Sequence, residues 1–257
     1  MRIYGYVERG LGKSECQDRV LIGDTILAGG FLAVDRLELT NLLVAVADGV
    51  GGYPGGERAS LIAVDGIRVL NRRTKLIESD IRNLIENINQ QILGTAQAIP
   101  LFANMATTLT ALVFAQDTAV TVHVGNCRLC SYKKYLQAIT DDQTLVAEMV
   151  RQGEITSEEA KTSAIRNRIS ACLGAGKKEN ASSLKVENQE RLLHQESNFF
   201  MTSDGIHDYL EETDLEELLA SDTDAETVCR KIAAKARANG STDDISIVIV
   251  DRLGKYQ

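Results

Sequence analysis

The chain has 257 residues, 44% of them hydrophobic and 25% charged, enough to bury a substantial core and ordinary for a soluble globular protein. Its formal net charge of −8 argues against nucleic acid or membrane partners, since binding either polyanion needs clustered positive charge. No stretch reaches the roughly 18 to 20 apolar residues of a membrane span, the start MRIYGYVERG has no signal-like apolar run, and five cysteines make an odd set, so a cytoplasmic, reduced protein is expected.

Strands are expected near Ile3–Val7, Arg19–Ile22, Phe31–Leu37 and Leu42–Ala47, separated by glycines and polar residues. Two helices follow. The first, about Gly56 to Asn71, repeats Ala59, Ile62, Ala63, Ile67 and Leu70 at three- and four-residue spacing; the second, about Glu78 to Ala98, repeats Ile81, Leu84, Ile85, Ile88 and Ile92. The middle third turns to β-branched runs, TTLTALVF, TAVTVHVG and RLCSYKK-YLQAIT, joined by short turns at Gln116-Asp117 and Lys133-Lys134 that imply antiparallel neighbours. Cys127 and Cys130 form a C-x-x-C here, but residues three apart on a strand face opposite ways, so they read as small buried thiols.

Residues 143 to about 160 are helical in pattern and broken by Gly153, and 161–183 are polar and irregular, so 143–183 is a candidate flap. A strand near Asn198–Thr202, helices near Asp214–Leu219 and Ala225–Ala238, and a final strand Ile245–Asp251 complete the chain. With only two prolines, Pro54 and Pro100, and no linker or repeat, residues 1–257 read as a single domain of α+β class.

Acids stand where apolar strands begin or end. In LLVAVADGVGGYPGGERAS, Asp48 precedes five glycines (49, 51, 52, 55 and 56) whose backbone can approach a ligand directly. No G-K-[ST] follows, and an acid at this place repels phosphate unless a cation lies between. Asp204 closes the strand NFFMTS, with Asp208 four residues on; Asp243 and Asp244 precede the last strand; Asp18 leads into an early one. Asp65-Gly66 lies inside the first helix and is expected to be an exposed pair without a catalytic part. Carboxylates converging on one cleft stay ionised if divalent cations sit among them. An all-oxygen set selects Mg²⁺ or Mn²⁺ over zinc, and two such ions serve phosphoryl transfer to water.

The segments CQDRV, VADGVGGYPGGERAS, MATTLTALVF, HVGNCRLCSY, AITDDQTLVAEMVRQGEITSEEA, RNRISACLG, MTSDGIHDYL and STDDISIVIVD, in this order, resemble the metal-dependent protein serine/threonine phosphatases of the protein phosphatase 2C type, in their bacterial form. The resemblance implies a four-layer α/β/β/α sandwich, two packed antiparallel sheets flanked by helices, with two ions, Mn²⁺ or Mg²⁺, in a cleft at one end. It implies that Asp48 bridges both ions, the Gly49 carbonyl binds one, Asp204 and Asp243 bind the other, and Asp18 acts through bound water. A hydroxide bridging the ions would attack phosphoserine or phosphothreonine of a protein substrate directly, opposing a Ser/Thr kinase.

The sequence departs from the family pattern in places. Gly125-Asn126-Cys127-Arg128 stands for Gly-Asp-Ser-Arg, and Asn126 brings a neutral oxygen to a third, weaker metal site, which argues against a third ion despite Asp208. Lys13 stands for the phosphate-binding arginine, keeping the charge and losing the fork. Tyr53, Val50 and Gln143 occupy positions where relatives place histidines, so no side chain is an obvious general acid; Asp244, in place of a common Asn, reads as an extra strand-end charge. His123 and His207 read as structural. Two alternatives stand beside the protein phosphatase: a phosphatase of a small phosphorylated metabolite, and a phosphoprotein-binding pseudophosphatase, which Asn126 and Lys13 favour and the full set of core acids opposes.

Overall fold

The computed structural model describes residues 1–35, 41–50, 54–116, 118–175, 184–189, 191–194 and 196–256. In chain order the strands are β1 (Arg2–Glu8), β2 (Arg19–Ile22), β3 (Thr25–Leu27), β4 (Gly30–Asp35), β5 (Asn41–Ala47), β6 (Ala106–Thr107), β7 (Leu109–Ala115), β8 (Thr118–Val124), β9 (Arg128–Tyr132), β10 (Leu136–Ala138), β11 (Leu173–Gly174), β12 (Lys185–Asn188), β13 (Asn198–Thr202) and β14 (Ile245–Asp251). The helices are α1 (Gly56–Ile67), α2 (Glu78–Ala98), α3 (Leu145–Gln152), α4 (Ser157–Thr162), α5 (Arg191–His194), α6 (Asp204–His207), α7 (Glu212–Ala220) and α8 (Ala225–Ala238).

Two six-stranded antiparallel sheets form the centre, one ordered β10-β9-β13-β14-β1-β4 and the other β12-β8-β7-β5-β2-β3. Strand alternation sorts each side chain into a layer. On β5, Leu42, Val44 and Val46 face the other sheet and pack with Ile3, Phe199, Val248 and Val250, whereas Leu43, Ala45 and Ala47 face Ile67, Ile85, Ile88 and Ile92 of α1 and α2. On β14, Val248 and Val250 face inward, and Ile245, Ile247 and Ile249 pack outward with Val228 and Ile232 of α8. Such strands are covered on both faces and therefore read as unbroken apolar runs. The expected α/β/β/α sandwich is what these contacts build.

Boundaries differ from the sequence reading where local geometry intervenes. The first helix gives way after Ile67 to a 3₁₀ turn, Arg68–Arg72, instead of running to Asn71. β4 stops at Asp35, and the remainder of the expected strand to Leu37 lies outside the described residues, as does Asp117 of the expected turn. Gly153 does break the helical stretch: at φ 74° it caps α3, and Thr156 with Glu159 forms a reciprocal capping box on α4. Asp65 is exposed and pairs with Arg68 at 2.6 Å, as its helical position implied, but Gly66 has a packing duty: a Cβ there would sit 2.5 Å from Ile88 Cγ1 on α2. The five cysteines are buried, and none is in a disulfide. Among the described residues no helix is long and apolar enough to cross a membrane.

Candidate metal centre

Antiparallel register brings the strand-end acids to one edge of the sandwich. Arg19 of β2 pairs with Ala47 of β5, so Asp18 and Asp48, the next residues outward, are neighbours. Thr202 of β13 pairs with Ile247 of β14, which brings Asp204 and Asp243 to the same end of the other sheet. The two sheets are packed face to face, so the pairs meet. Lys13, Asp48, Asn126, Asp204 and Asp243 line a single cavity of about 380 Å³, together with Val50, Thr108, Asn167 and Ile169.

The cluster is short of counter-charge. Burial, followed by repulsion from Asp18, Asp204 and Asp243, raises the Asp48 carboxyl well above its usual range. Burial and then Asp243 raise Asp204, and burial with the nearby Asp244 pushes Asp18 up to about 7. Asp18 lies beneath the cavity, fully buried, where its Oδ2 accepts a 2.7 Å hydrogen bond from Ser246 Oγ. Asp18 Oδ1, Asp204 Oδ1 and Asn126 Oδ1 are buried without hydrogen-bond partners. Unpartnered oxygens on mutually repelling carboxylates fit a hard divalent cation, which would satisfy the oxygens and hold the acids ionised. Among the described residues, no three His, Cys, Asp or Glu side chains already surround one point as an ion requires, and Asp243 is turned onto Lys13.

The backbone at Asp48 is closely fitted. Its N–H donates to Thr108 Oγ1 at 3.1 Å, and its carbonyl accepts from Thr108 N–H at 2.8 Å and Thr107 Oγ1 at 2.9 Å. Gly49 donates to the Gln17 carbonyl at 3.2 Å, and a Cβ on it would lie 2.5 Å from the carbonyl carbon of Gly56. A glycine at 49 is thus a packing necessity. Gly51, Gly52 and Tyr53 lie outside the described residues.

The outer position has a different character. Asn126 donates from Nδ2 to Asp204 Oδ2 at 3.1 Å, so it serves Asp204 as a neutral donor. Asp208, one turn beyond Asp204 on α6, does not line the cavity; burial and then Asp204 push its carboxyl up to about 7. Arg128 forms a forked pair with Asp142 at 2.7 and 3.0 Å instead of facing the cavity. His123 is held between Thr110 Oγ1 and the Asp141 carbonyl, both at 2.9 Å, and buried His207 contacts Thr202 Oγ1 at 2.9 Å. Burial and then Arg128 push His207 down to about 3, so it stays neutral, and neither histidine lines the cavity.

The reading of Asp244 as an extra strand-end charge is overturned. Its side chain is 1% exposed and accepts from Gly10 N–H at 2.7 Å, Gln17 N–H at 2.9 Å and Lys13 Nζ at 3.0 Å. Sequence reasoning also passed over Thr108, Ser246, Asn167 and Ile169. Thr108 lies in MATTLTALVF, where a polar pair at the head of an apolar strand was the available signal. Asn167 and Ile169 reach the cavity from the candidate flap, which Gln143 ties to the site: its Oε1 accepts from Gly125 N–H at 2.9 Å and its carbonyl from Ser170 N–H at 2.8 Å.

Comparison with known proteins gives the family and supports the fold. The family model described as protein phosphatase 2C matches residues 14–241. The serine/threonine phosphatase stp of Listeria monocytogenes is 30% identical over 217 residues, 82% of this chain and 84% of that one. The serine/threonine protein phosphatase PstP of Mycobacterium tuberculosis is 28% identical over 212 residues, 81% of this chain and 40% of that one. The structure of serine/threonine phosphatase Stp1 from Staphylococcus aureus superposes with a TM-score of 0.80 at 23% identity, covering 98% of this chain and 95% of that one. The catalytic domain of PstP in complex with two manganese ions gives 0.73 at 23% identity, covering 98% and 99%. The chain therefore belongs to the protein phosphatase 2C family and is a metal-dependent serine/threonine phosphoprotein phosphatase.

Proposed function

We propose that the chain dephosphorylates phosphoserine and phosphothreonine in protein substrates with two divalent ions, Mn²⁺ or Mg²⁺. Asp48 would be shared between them, the Gly49 carbonyl would serve one, and Asp204 and Asp243 the other. The observation that carries this reading is the convergence of Asp48, Asp204 and Asp243 on one cavity with Asp18 buried beneath it, burial and neighbouring carboxylates raising Asp18, Asp48 and Asp204. When bound, the ions supply a deprotonated water as nucleophile and neutralise the phosphate oxygens.

The chain's own side chains supply the remainder. Lys13 offers an ammonium to the phosphate from the cavity wall. Ser246 holds Asp18 in place to receive a water from below the cavity. Thr108 fixes Asp48 through two hydrogen bonds. Among the described residues no histidine lines the cavity, so no side chain is assigned as general acid, and a water held at the centre would protonate the leaving alkoxide. Asn126, a neutral donor to Asp204, speaks against a third ion at that place.

We also take residues 1–257 as one phosphatase domain with a flap at 143–183, acting in the cytoplasm against a Ser/Thr kinase. Asn167 and Ile169 on the cavity wall support the flap assignment, and buried cysteines outside any disulfide support a reducing compartment. The test is turnover of a phosphothreonine peptide, p-nitrophenyl phosphate and a sugar phosphate, with Mn²⁺ and then with chelator. Peptide turnover that needs the metal is expected. Faster turnover of the sugar phosphate than of the peptide would move the assignment to a metabolite phosphatase.

A further inference from the structure

The loop between β1 and β2 hangs on one buried carboxylate. Asp244 accepts from Gly10 at its start, Lys13 in its middle and Gln17 at its end, at 2.7, 3.0 and 2.9 Å. Arg237 of α8 fixes the opposing backbone, donating to the carbonyls of Asp243 at 2.6 Å, Ser241 at 3.1 Å and Arg9 at 3.2 Å while pairing with Glu8 at 3.0 Å. Gly10 lets the two strands of chain close up, since a Cβ there would lie 2.5 Å from the Thr242 carbonyl oxygen. With both backbones held, the Lys13 and Asp243 side chains stay partly open to solvent, 28% and 44% exposed. The Lys13 ammonium bridges Asp243 Oδ1 and Asp244 Oδ2, and it lines the same cavity as Asp48 and Asp204.

An ammonium and a divalent ion cannot share a carboxylate oxygen without repelling each other. A half-exposed Lys–Asp pair is weak, so the doubly charged ion prevails once present. We propose that Lys13 competes with the divalent ion for Asp243 and is retained by Asp244 when the ion takes that acid, so that metal loading re-aims the ammonium at the phosphate. Asp244 is then a positioning residue. The inference rests on Asp243 being a metal ligand. Its consequence is reciprocal: metal strengthens phosphate binding, and phosphate strengthens metal binding by the same factor.

The test is direct Mn²⁺ binding, read from the paramagnetic resonance of free Mn²⁺, in wild type, Lys13→Met, Asp244→Asn and Asp243→Asn, with and without inorganic phosphate. Lys13→Met is expected to bind Mn²⁺ about two- to five-fold more tightly without phosphate, the range a half-exposed pair supports, and to lose the enhancement that phosphate gives the wild type. Asp244→Asn, its fold checked by circular dichroism, leaves Lys13 to Asp243 alone and is expected to bind Mn²⁺ more weakly than wild type. Equal or weaker Mn²⁺ binding in Lys13→Met would overturn the competition, and that variant decides the matter if Asp244→Asn does not fold. Undiminished Mn²⁺ binding in Asp243→Asn would instead overturn the metal-ligand assignment on which the inference rests.

Discussion

Asp18, Asp204 and Asp243 all press on the half-buried Asp48 carboxyl, adding repulsion to the burial that already raises it. Two opposite effects of one substitution follow. Asp48→Asn removes the shared ligand and is expected to lower turnover by about 10²-fold or more, while raising the melting temperature of the metal-free protein by relieving repulsion. Steady-state assays and thermal melts in chelator check the two halves; a melting temperature that falls would show Asp48 to be a structural prop. Asp48, Asp204 and Asp243 were legible in the sequence because each interrupts a strand-to-turn junction with a charge. Asp244 was not, since a carboxylate buried under three donors and one in solvent are written with the same letter. The same holds for Asn126, whose orientation toward Asp204 depends on residues 78 positions away.

The strands and helices bring the ligands into place through close backbone approaches as well as register. Gly205, at the start of α6, abuts β14 so tightly that a Cβ would lie 2.0 Å from the Asp244 carbonyl oxygen. Gly205→Ala is expected to cost about 2 kcal/mol or more, lowering the melting temperature by several degrees, and to weaken metal binding by parting Asp204 from Asp243. Alanine tolerated there with unchanged melting temperature and Mn²⁺ affinity would contradict this packing. β5, β7 and β14 could be read from composition because burial on both faces leaves seven-residue strands that are mostly apolar. β3, β6 and β11, two or three residues each, carry too few side chains for a period to emerge, and β12, Lys-Val-Glu-Asn, is polar at all but Val186 because it is an edge strand that, among the described residues, pairs only with β8. The flap's contribution of Asn167 and Ile169 depends on its pairing back onto Gln143 and Thr144, a long-range contact that no local pattern announces.

For the molecule as a whole, the buried acids link stability to pH and metal. Asp18 and Asp208 titrate at about 7 in the fold against an ordinary 3.8 in the unfolded chain, so the folded state holds more protons between these values. Stability from this source is complete below 3.8 and is lost as pH rises through 7. Buried His123 and His207, held neutral, act in the opposite sense only below their ordinary 6.5, so the clean comparison runs upward from there. The metal-free protein is expected to melt at a lower temperature at about pH 8 than at about pH 6.5, and Mn²⁺ to stabilise it more at the higher pH, where the ligands shed protons most readily. Thermal melts at the two values, with Mn²⁺ and with chelator, check this; a metal-free protein that gains stability across the interval would contradict it.

The central claim is that strand-end carboxylates from both sheets hold two divalent ions between them. Calorimetric titration of the chelator-treated protein with Mn²⁺ tests it most directly. Two ions per chain are expected for the wild type, with both sites weakened in Asp48→Asn because that acid is shared. Undiminished binding in Asp48→Asn, or no binding to the wild type, would contradict the assignment of the centre.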